Sequence, residues 1–196
     1  MMTQATVIFF GPDTPRSPDE PTLPKVYLRT LLVATSRRGR VIESMRVALS
    51  RNETHQNFNI WVYGERDQLM RGSGLFVGET GIAANHHFLM PRDRSSFQFT
   101  EGQYRLDVAG LDVAAHLLGD RRQTLLFSQE LSITRELADS LAEPGTGLYF
   151  QWGPDSGCYP PHVDKRPPLP DPEDFVGVLA LRPCKGSLCA ESWTRP

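Results

Sequence analysis

From residue 25 to residue 134, apolar and polar positions alternate along much of the chain. Val41, Met45, Val47 and Leu49 alternate with Ser44, Arg46, Ala48 and Ser50. Phe58, Ile60 and Val62 alternate with Asn59, Trp61 and Tyr63. Tyr104, Leu106 and Val108 alternate with Arg105 and Asp107, and Leu125, Phe127, Leu131 and Ile133 with Thr124, Ser128, Glu130 and Ser132. Successive side chains of a strand point to opposite faces, so each run predicts a half-buried strand. Residues 26–34 are apolar on both faces, which predicts a more central strand. Residues 7–10, ended by Gly11 and Pro12, predict the first strand. Turn-forming clusters such as Arg37-Arg38-Gly39, Arg51-Asn52-Glu53, Gly72-Ser73-Gly74, Glu101-Gly102 and Gly119-Asp120 separate the runs. Short strands at this spacing predict a mainly β chain built as an antiparallel sandwich or barrel.

Two places depart from simple alternation. Tyr104, Leu106 and Val108 are even-numbered, whereas Leu111 and Val113 are odd, so the phase breaks at Ala109-Gly110. A β-bulge at Gly110 explains the break, and a short helix over residues 111–118 competes with it. The bulge is favoured, since no cap residue is evident there and the segment is short for a helix. One short helix is expected after Thr134, a plausible N-cap, with Leu137, Ala138 and Leu141 on one side and Pro144-Gly145 as its stop.

Proline punctuates both ends. Pro12, Pro15, Pro18, Pro21 and Pro24 recur every third residue, the period of a polyproline II helix. They read first as a stiff spacer or crossing loop, and second as a ligand for an aromatic groove, although Arg16 and Lys25 lack the usual offsets. Beyond Gly153 the chain is again proline-rich, through Pro154, Pro160, Pro161, Pro167, Pro168, Pro170 and Pro172, with one apolar patch at residues 175–181. The expected organisation is therefore a strand and Pro-rich arm over 1–24, a sandwich domain over 25–152 and an extended Pro-rich tail over 153–196.

Trp61 in NFNIWVYGE and Tyr104 in EGQYRLDV resemble two marks of immunoglobulin-like and fibronectin-like sandwiches, across residues 25–134. The resemblance implies a Trp packed between sheets, a tyrosine corner at Tyr104, and an acid near Glu101. It also implies that Leu106 and Val47 stand where the family carries its disulfide, as an aliphatic pair. The expected fold is thus mainly β: an antiparallel, immunoglobulin-like two-sheet sandwich with one short helix and a Pro-rich C-terminal extension. Alternation leaves one choice open. Either Trp61 is in the core and Phe58, Ile60 and Val62 lie on a covered outer face, or the reverse.

Composition removes several function classes. In 196 residues, 21 Lys+Arg stand against 23 Asp+Glu, and a formal charge of −2 gives no electrostatic case for nucleic acid or an anionic membrane. No apolar run has the roughly 20 residues that span a bilayer. The N-terminus lacks a positive n-region and a long apolar stretch, so a cytoplasmic setting is expected. The excess of Arg over Lys fits a GC-rich, bacterial coding sequence. Cys158, Cys184 and Cys189 are odd in number and sit late in the chain, which predicts free thiols.

Candidate chemistry is sparse. His86 and His87 are adjacent, so a strand would point them to opposite faces, and they could not share a metal there. His162-Val163-Asp164 opens the motif of an iron-binding facial triad, but no later His completes it. Gly72-Ser73-Gly74 is not a nucleophile elbow, and no phosphate-binding glycine loop occurs. Glu65 with Asp67, and Asp107 with Asp112, read as solvated strand edges. No catalytic residue, cofactor or metal site is expected, and the chain leans away from being an enzyme. The densest segment is residues 147–164, where Tyr149, Trp152 and Tyr159 supply aromatic area and Asp155, His162 and Asp164 polar tips. A structural role for Trp152 and Tyr159, clamping the chain's exit while Leu148 and Phe150 fill the core, competes with recognition. The leading expectation is a non-enzymatic module acting by protein–protein contact or self-association. The alternative is a small carbohydrate-type ligand stacked on Trp61, Tyr63, Trp152 and Tyr159. A metal enzyme using His162 with Asp155 or Asp164 and Cys158 ranks third.

Overall fold

The computed structural model describes residues 1–13, 22–64, 69–91 and 97–165. Pro15, Pro18, Pro21, Arg16, Glu65, Asp67, Cys184, Cys189, the prolines from 167 onward and the apolar patch at 175–181 lie outside the described residues. The chain is mainly β, and its compact unit runs from Met1 to Arg166. Twelve strands are described: β1 (Val7–Pro12), β2 (Pro24–Leu32), β3 (Arg40–Arg51), β4 (Thr54–Phe58), β5 (Ile60–Tyr63), β6 (Met70–Arg71), β7 (Leu75–Val77), β8 (Ile82–Leu89), β9 (Gly102–Asp112), β10 (Thr124–Ile133), β11 (Thr146–Gln151) and β12 (Pro161–Lys165). Two short helices, α1 (Val113–Leu117) and α2 (Arg135–Leu141), interrupt them.

The strands form two antiparallel sheets. One has seven strands in the order β12-β11-β1-β2-β8-β5-β6. The other runs β10-β9-β3-β4, with β7 also paired to β3. Their inner faces share one hydrophobic core: Ile8, Phe10, Leu28, Phe88, Leu148 and Phe150 come from the first sheet, and Met45, Val47, Leu49, Leu106, Val108 and Leu131 from the second. Phe10 and Tyr104 bring the two sheets into direct ring contact, with centroids 6.2 Å apart.

Trp61 is in the core, and the choice left open by alternation has a simple physical basis. The chain changes sheets at Asn59: Phe58 ends β4 in one sheet and Ile60 begins β5 in the other. The crossing resets the phase, so Phe58 and Trp61 both point inward and are buried, while Ile60 and Val62 lie on the outer face of the seven-stranded sheet. Indole Nε1 of Trp61 donates to Nδ1 of His86 at 3.2 Å.

Tyr104 forms the expected corner. Its hydroxyl donates to the Thr100 carbonyl and accepts from the Thr100 N–H, both at 2.9 Å. The strand arrangement departs from the immunoglobulin expectation in two ways. Val47 and Leu106 do not face each other between sheets, because β3 and β9 are neighbours in one sheet, with Val47 opposite Val108 and Leu49 opposite Leu106. The Trp61 strand and the Tyr104 strand belong to different sheets.

The phase break near Gly110 is also corrected. β9 keeps its even residues inward through Gly110 and ends at Asp112. The register shifts lie in its neighbours, between Ile42 and Ser44 in β3 and between Leu125 and Phe127 in β10. Glu43, the extra residue of β3, reaches Nδ1 of His116 in α1 at 2.5 Å. A helix does form at Val113–Leu117, making two helices rather than one. Its cap is Asp112, whose carboxylate accepts from the N–H groups of Ala114 and Ala115 at 2.9 and 3.2 Å. Thr134 caps α2 as expected, accepting from Leu137 N–H. Among the described residues, no helix is long and apolar enough to cross a membrane.

Replacing Tyr104 by Phe keeps the ring but leaves both Thr100 groups without their partner. The expected loss is about 1–2 kcal/mol. It reads as a lower urea midpoint with an unchanged slope.

Candidate functional site

The two sheets expose different outer faces. On the five-stranded sheet that face carries Arg46, Ala48 and Ser50 of β3, Arg105 and Asp107 of β9, and Ser128, Glu130 and Ser132 of β10. Three of them are joined, with Ser128 Oγ donating to Asp107 at 2.6 Å and Arg105 Nε to the same carboxylate oxygen at 3.1 Å, and Val41, Phe76 and Leu125 are exposed apolar side chains of the same sheet. The seven-stranded sheet presents rings and aliphatic side chains instead. An antiparallel sheet with one wet face needs no such coating, so the two outer faces differ in chemistry.

Strand register shows how the coating is organised. His162 of β12 stands opposite Tyr149 of β11, Tyr149 opposite Phe9 of β1, and Phe9 opposite Tyr27 of β2. Tyr27 stands opposite His87 of β8, His87 opposite Val62 of β5, and Val62 opposite Arg71 of β6. One row of outward side chains therefore crosses all seven strands, and five of its seven members are rings. At ~4.8 Å between strands it is about 29 Å long. Phe9 and Tyr149 have centroids 4.7 Å apart with planes at 47°, and Tyr27 and His87 are 4.9 Å apart at 52°. Tyr27 also donates its hydroxyl to Asn85 Oδ1 at 2.8 Å.

Two glycines make room for the centre of this row. A Cβ on Gly147 would lie 2.2 Å from the Phe9 ring, and one on Gly11 2.5 Å from it. Phe9 thus rests across bare backbone and is only 1% exposed, although it lies outside the core cluster. Around the row runs a trough of about 1120 Å³, bordered by Val7, Arg29, Asn85 and Gln151 on one side and by Lys25, Ile60, Leu89 and Asp164 on the other. Lys25 is itself buried and held by Asp13 at 3.0 Å.

The residues singled out from the sequence divide between two places. Tyr149, His162 and Asp164 share the outer face, with Tyr149 and His162 directly opposed and Asp164 opposite Gly147. Trp152 and Tyr159 pair elsewhere, with centroids 5.1 Å apart. The Tyr159 hydroxyl donates to the Ala5 carbonyl at 2.6 Å and accepts from Gln4 Nε2 at 3.0 Å. Burial pushes its pKa up to about 12, against a smaller opposing effect of the Gln4 hydrogen bond. Asp155 is exposed in the turn between β11 and β12. Leu148 and Phe150 are fully buried in the core. Trp61 is likewise buried, so Trp61, Tyr63, Trp152 and Tyr159 do not form an open stacking platform. The sequence did not mark Phe9, Tyr27, Arg29 or Arg71, and His87 drew notice only as the neighbour of His86. The apolar character of both faces of β2 was the available signal, but register alone joins these residues.

A second cleft, of about 260 Å³, lies among Leu32, Ala34, Ile42, Val77, Leu111 and Leu126. Its carboxylate, Asp112, is occupied in capping α1 and pairing with Arg40 at 3.4 Å. Among the described residues, no group of three His, Cys, Asp or Glu side chains is placed to hold a metal ion. Cys158 is a free, exposed thiol beside Ser156. No protein-family model, curated protein or solved structure matches this chain.

His86 lies behind the row, on the core side of the same strand as His87. Because Trp61 donates to Nδ1, the neutral ring carries its proton on Nε2, which is buried without a partner among the described residues. Burial, helped by the neighbouring His87, lowers its pKa from 6.5 to about 4. The folded value lies below the unfolded one, so protons favour the unfolded chain between them. Stability is full above pH 6.5 and falls towards pH 4, by roughly 3 kcal/mol from this group. His86→Phe is expected to remove that portion of the slope, measured as the difference between the two stability–pH curves from urea titrations.

Proposed function

We propose that this chain is a non-enzymatic recognition module that acts by protein–protein contact through the outer face of its seven-stranded sheet. It is read as a two-sheet sandwich with an immunoglobulin-type tyrosine corner but its own strand order. The single observation that carries the reading is the row from His162 to Arg71, in which five of seven outward side chains, laid across all seven strands, are rings. Aromatic anchors with a rim of Arg, His, Asn and Asp make up the usual chemistry of protein recognition surfaces. The reading includes a cytoplasmic setting, in which Cys158 stays reduced.

A carbohydrate is the competing occupant of the same trough. Sugar chains stack on open, coplanar ring faces. Here the ring pairs are tilted by 47° and 52°, and Phe9 at the centre is covered. Tilted rings instead leave notches between them that suit individual side chains.

Selection of displayed peptides on the immobilised chain, run beside a glycan panel, tests the reading. Peptides are expected to be enriched, and Tyr27→Ala or Tyr149→Ala to weaken them by roughly 10–100-fold each. Ser128→Ala on the opposite face is expected to change nothing, and circular dichroism checks that each variant is folded. Enrichment of glycans alone, or peptides indifferent to both tyrosines, would overturn the proposal.

A further inference from the structure

Resting on that reading, we infer that the occupant of the trough is an extended acidic segment, with two carboxylates flanking an apolar side chain. Charge around the row is uneven. Lys25 on one border is neutralised by Asp13, and Asp164 stands on the same border. The opposite border carries Arg29, and Arg71 ends the row; both are exposed. Neither guanidinium has a hydrogen-bond or ion-pair partner among the described residues, whereas Lys25 of the same trough does. Two unpaired forks beside a trough of rings ask for carboxylates, which they bind bidentately.

Register also sets the spacing. Arg29 on β2 is three strands from Arg71 on β6 and one outward residue along from the row, which places their backbones roughly 16 Å apart. That distance is spanned by roughly four to five residues of extended chain. In such a chain, residues i, i+2 and i+4 share a face. Carboxylates at i and i+4 meet the two arginines, and an apolar residue at i+2 falls between His87 of β8 and Val62 of β5. The preferred ligand is therefore acid–x–apolar–x–acid. A basic segment would place its cations against Arg29 and Arg71 and be rejected.

The test is fluorescence anisotropy of the full chain with labelled Ser-rich peptides centred on Asp-Ser-Leu-Ser-Asp, on Lys-Ser-Leu-Ser-Lys, and on a version with the two Asp adjacent. Oligogalacturonate serves as an anionic carbohydrate competitor. The spaced acidic peptide is expected to bind at least about tenfold tighter than either of the others, and more weakly as salt rises. Arg29→Glu with Arg71→Glu is expected to reverse the preference towards the Lys peptide; both positions are exposed, so the fold should tolerate the change. If all three peptides bind alike and only Tyr27→Ala or Tyr149→Ala releases them, the acidic preference is wrong while the trough remains a protein-binding surface. If oligogalacturonate binds and no peptide does, or if nothing binds, both this inference and the reading beneath it fail.

Discussion

Strand β1 is hydrogen-bonded to β2 on one side and to β11 on the other, and that double pairing decides what each face of the larger sheet carries. Phe9 and Phe10 are adjacent in sequence but serve different surfaces. Phe10 points inward to Phe99, Tyr104 and Phe150, and Phe9 points outward to Tyr149. A slip of one residue would exchange them. Gly11 and Gly147 oppose such a slip, since they leave bare backbone only where Phe9 needs it. The core and the trough are therefore two readouts of a single register.

The two sheets divide the remaining work. The smaller sheet closes the core and turns outward a face that is polar around Arg105, Asp107 and Ser128. The larger one is coated on both faces, which is unusual for an antiparallel sheet unless something covers or meets the second face. Around this frame the structure spends its polar chemistry on holding shape: Asp112 caps a helix, Tyr104 ties a corner, and Tyr159 pins the β11–β12 connection to Ala5. Arg29 and Arg71 carry no such duty among the described residues.

Much of the architecture was legible from alternation, because a half-buried strand writes its burial into the period of its residues. The strands around Met45, Leu106 and Leu131 and the Thr134 cap followed from local pattern, and the Tyr104 corner from the resemblance to immunoglobulin-like sandwiches. Other features did not. Phe58 and Trp61 have opposite parity yet face the same core, since a sheet change at Asn59 resets the phase without leaving a turn signal. The phase break after Val108 came from a capped helix, and the bulges sat in the neighbouring strands, where β9's own sequence could not show them. The candidate surface was legible only in part. Tyr149, His162 and Asp164 lay in one conspicuous segment, but their companions Phe9, Tyr27, His87 and Arg71 are scattered over the chain and become neighbours only through strand pairing.

The crossing at Asn59 has a mechanical consequence. One residue links a strand end of each sheet, and the large side chains beside it, Phe58 and Trp61, are both sunk into the shared interior. Neither layer can peel away without dragging an aromatic anchor of the other into water. Slow amide exchange should therefore be lost in both layers together, as one cooperative event, rather than layer by layer.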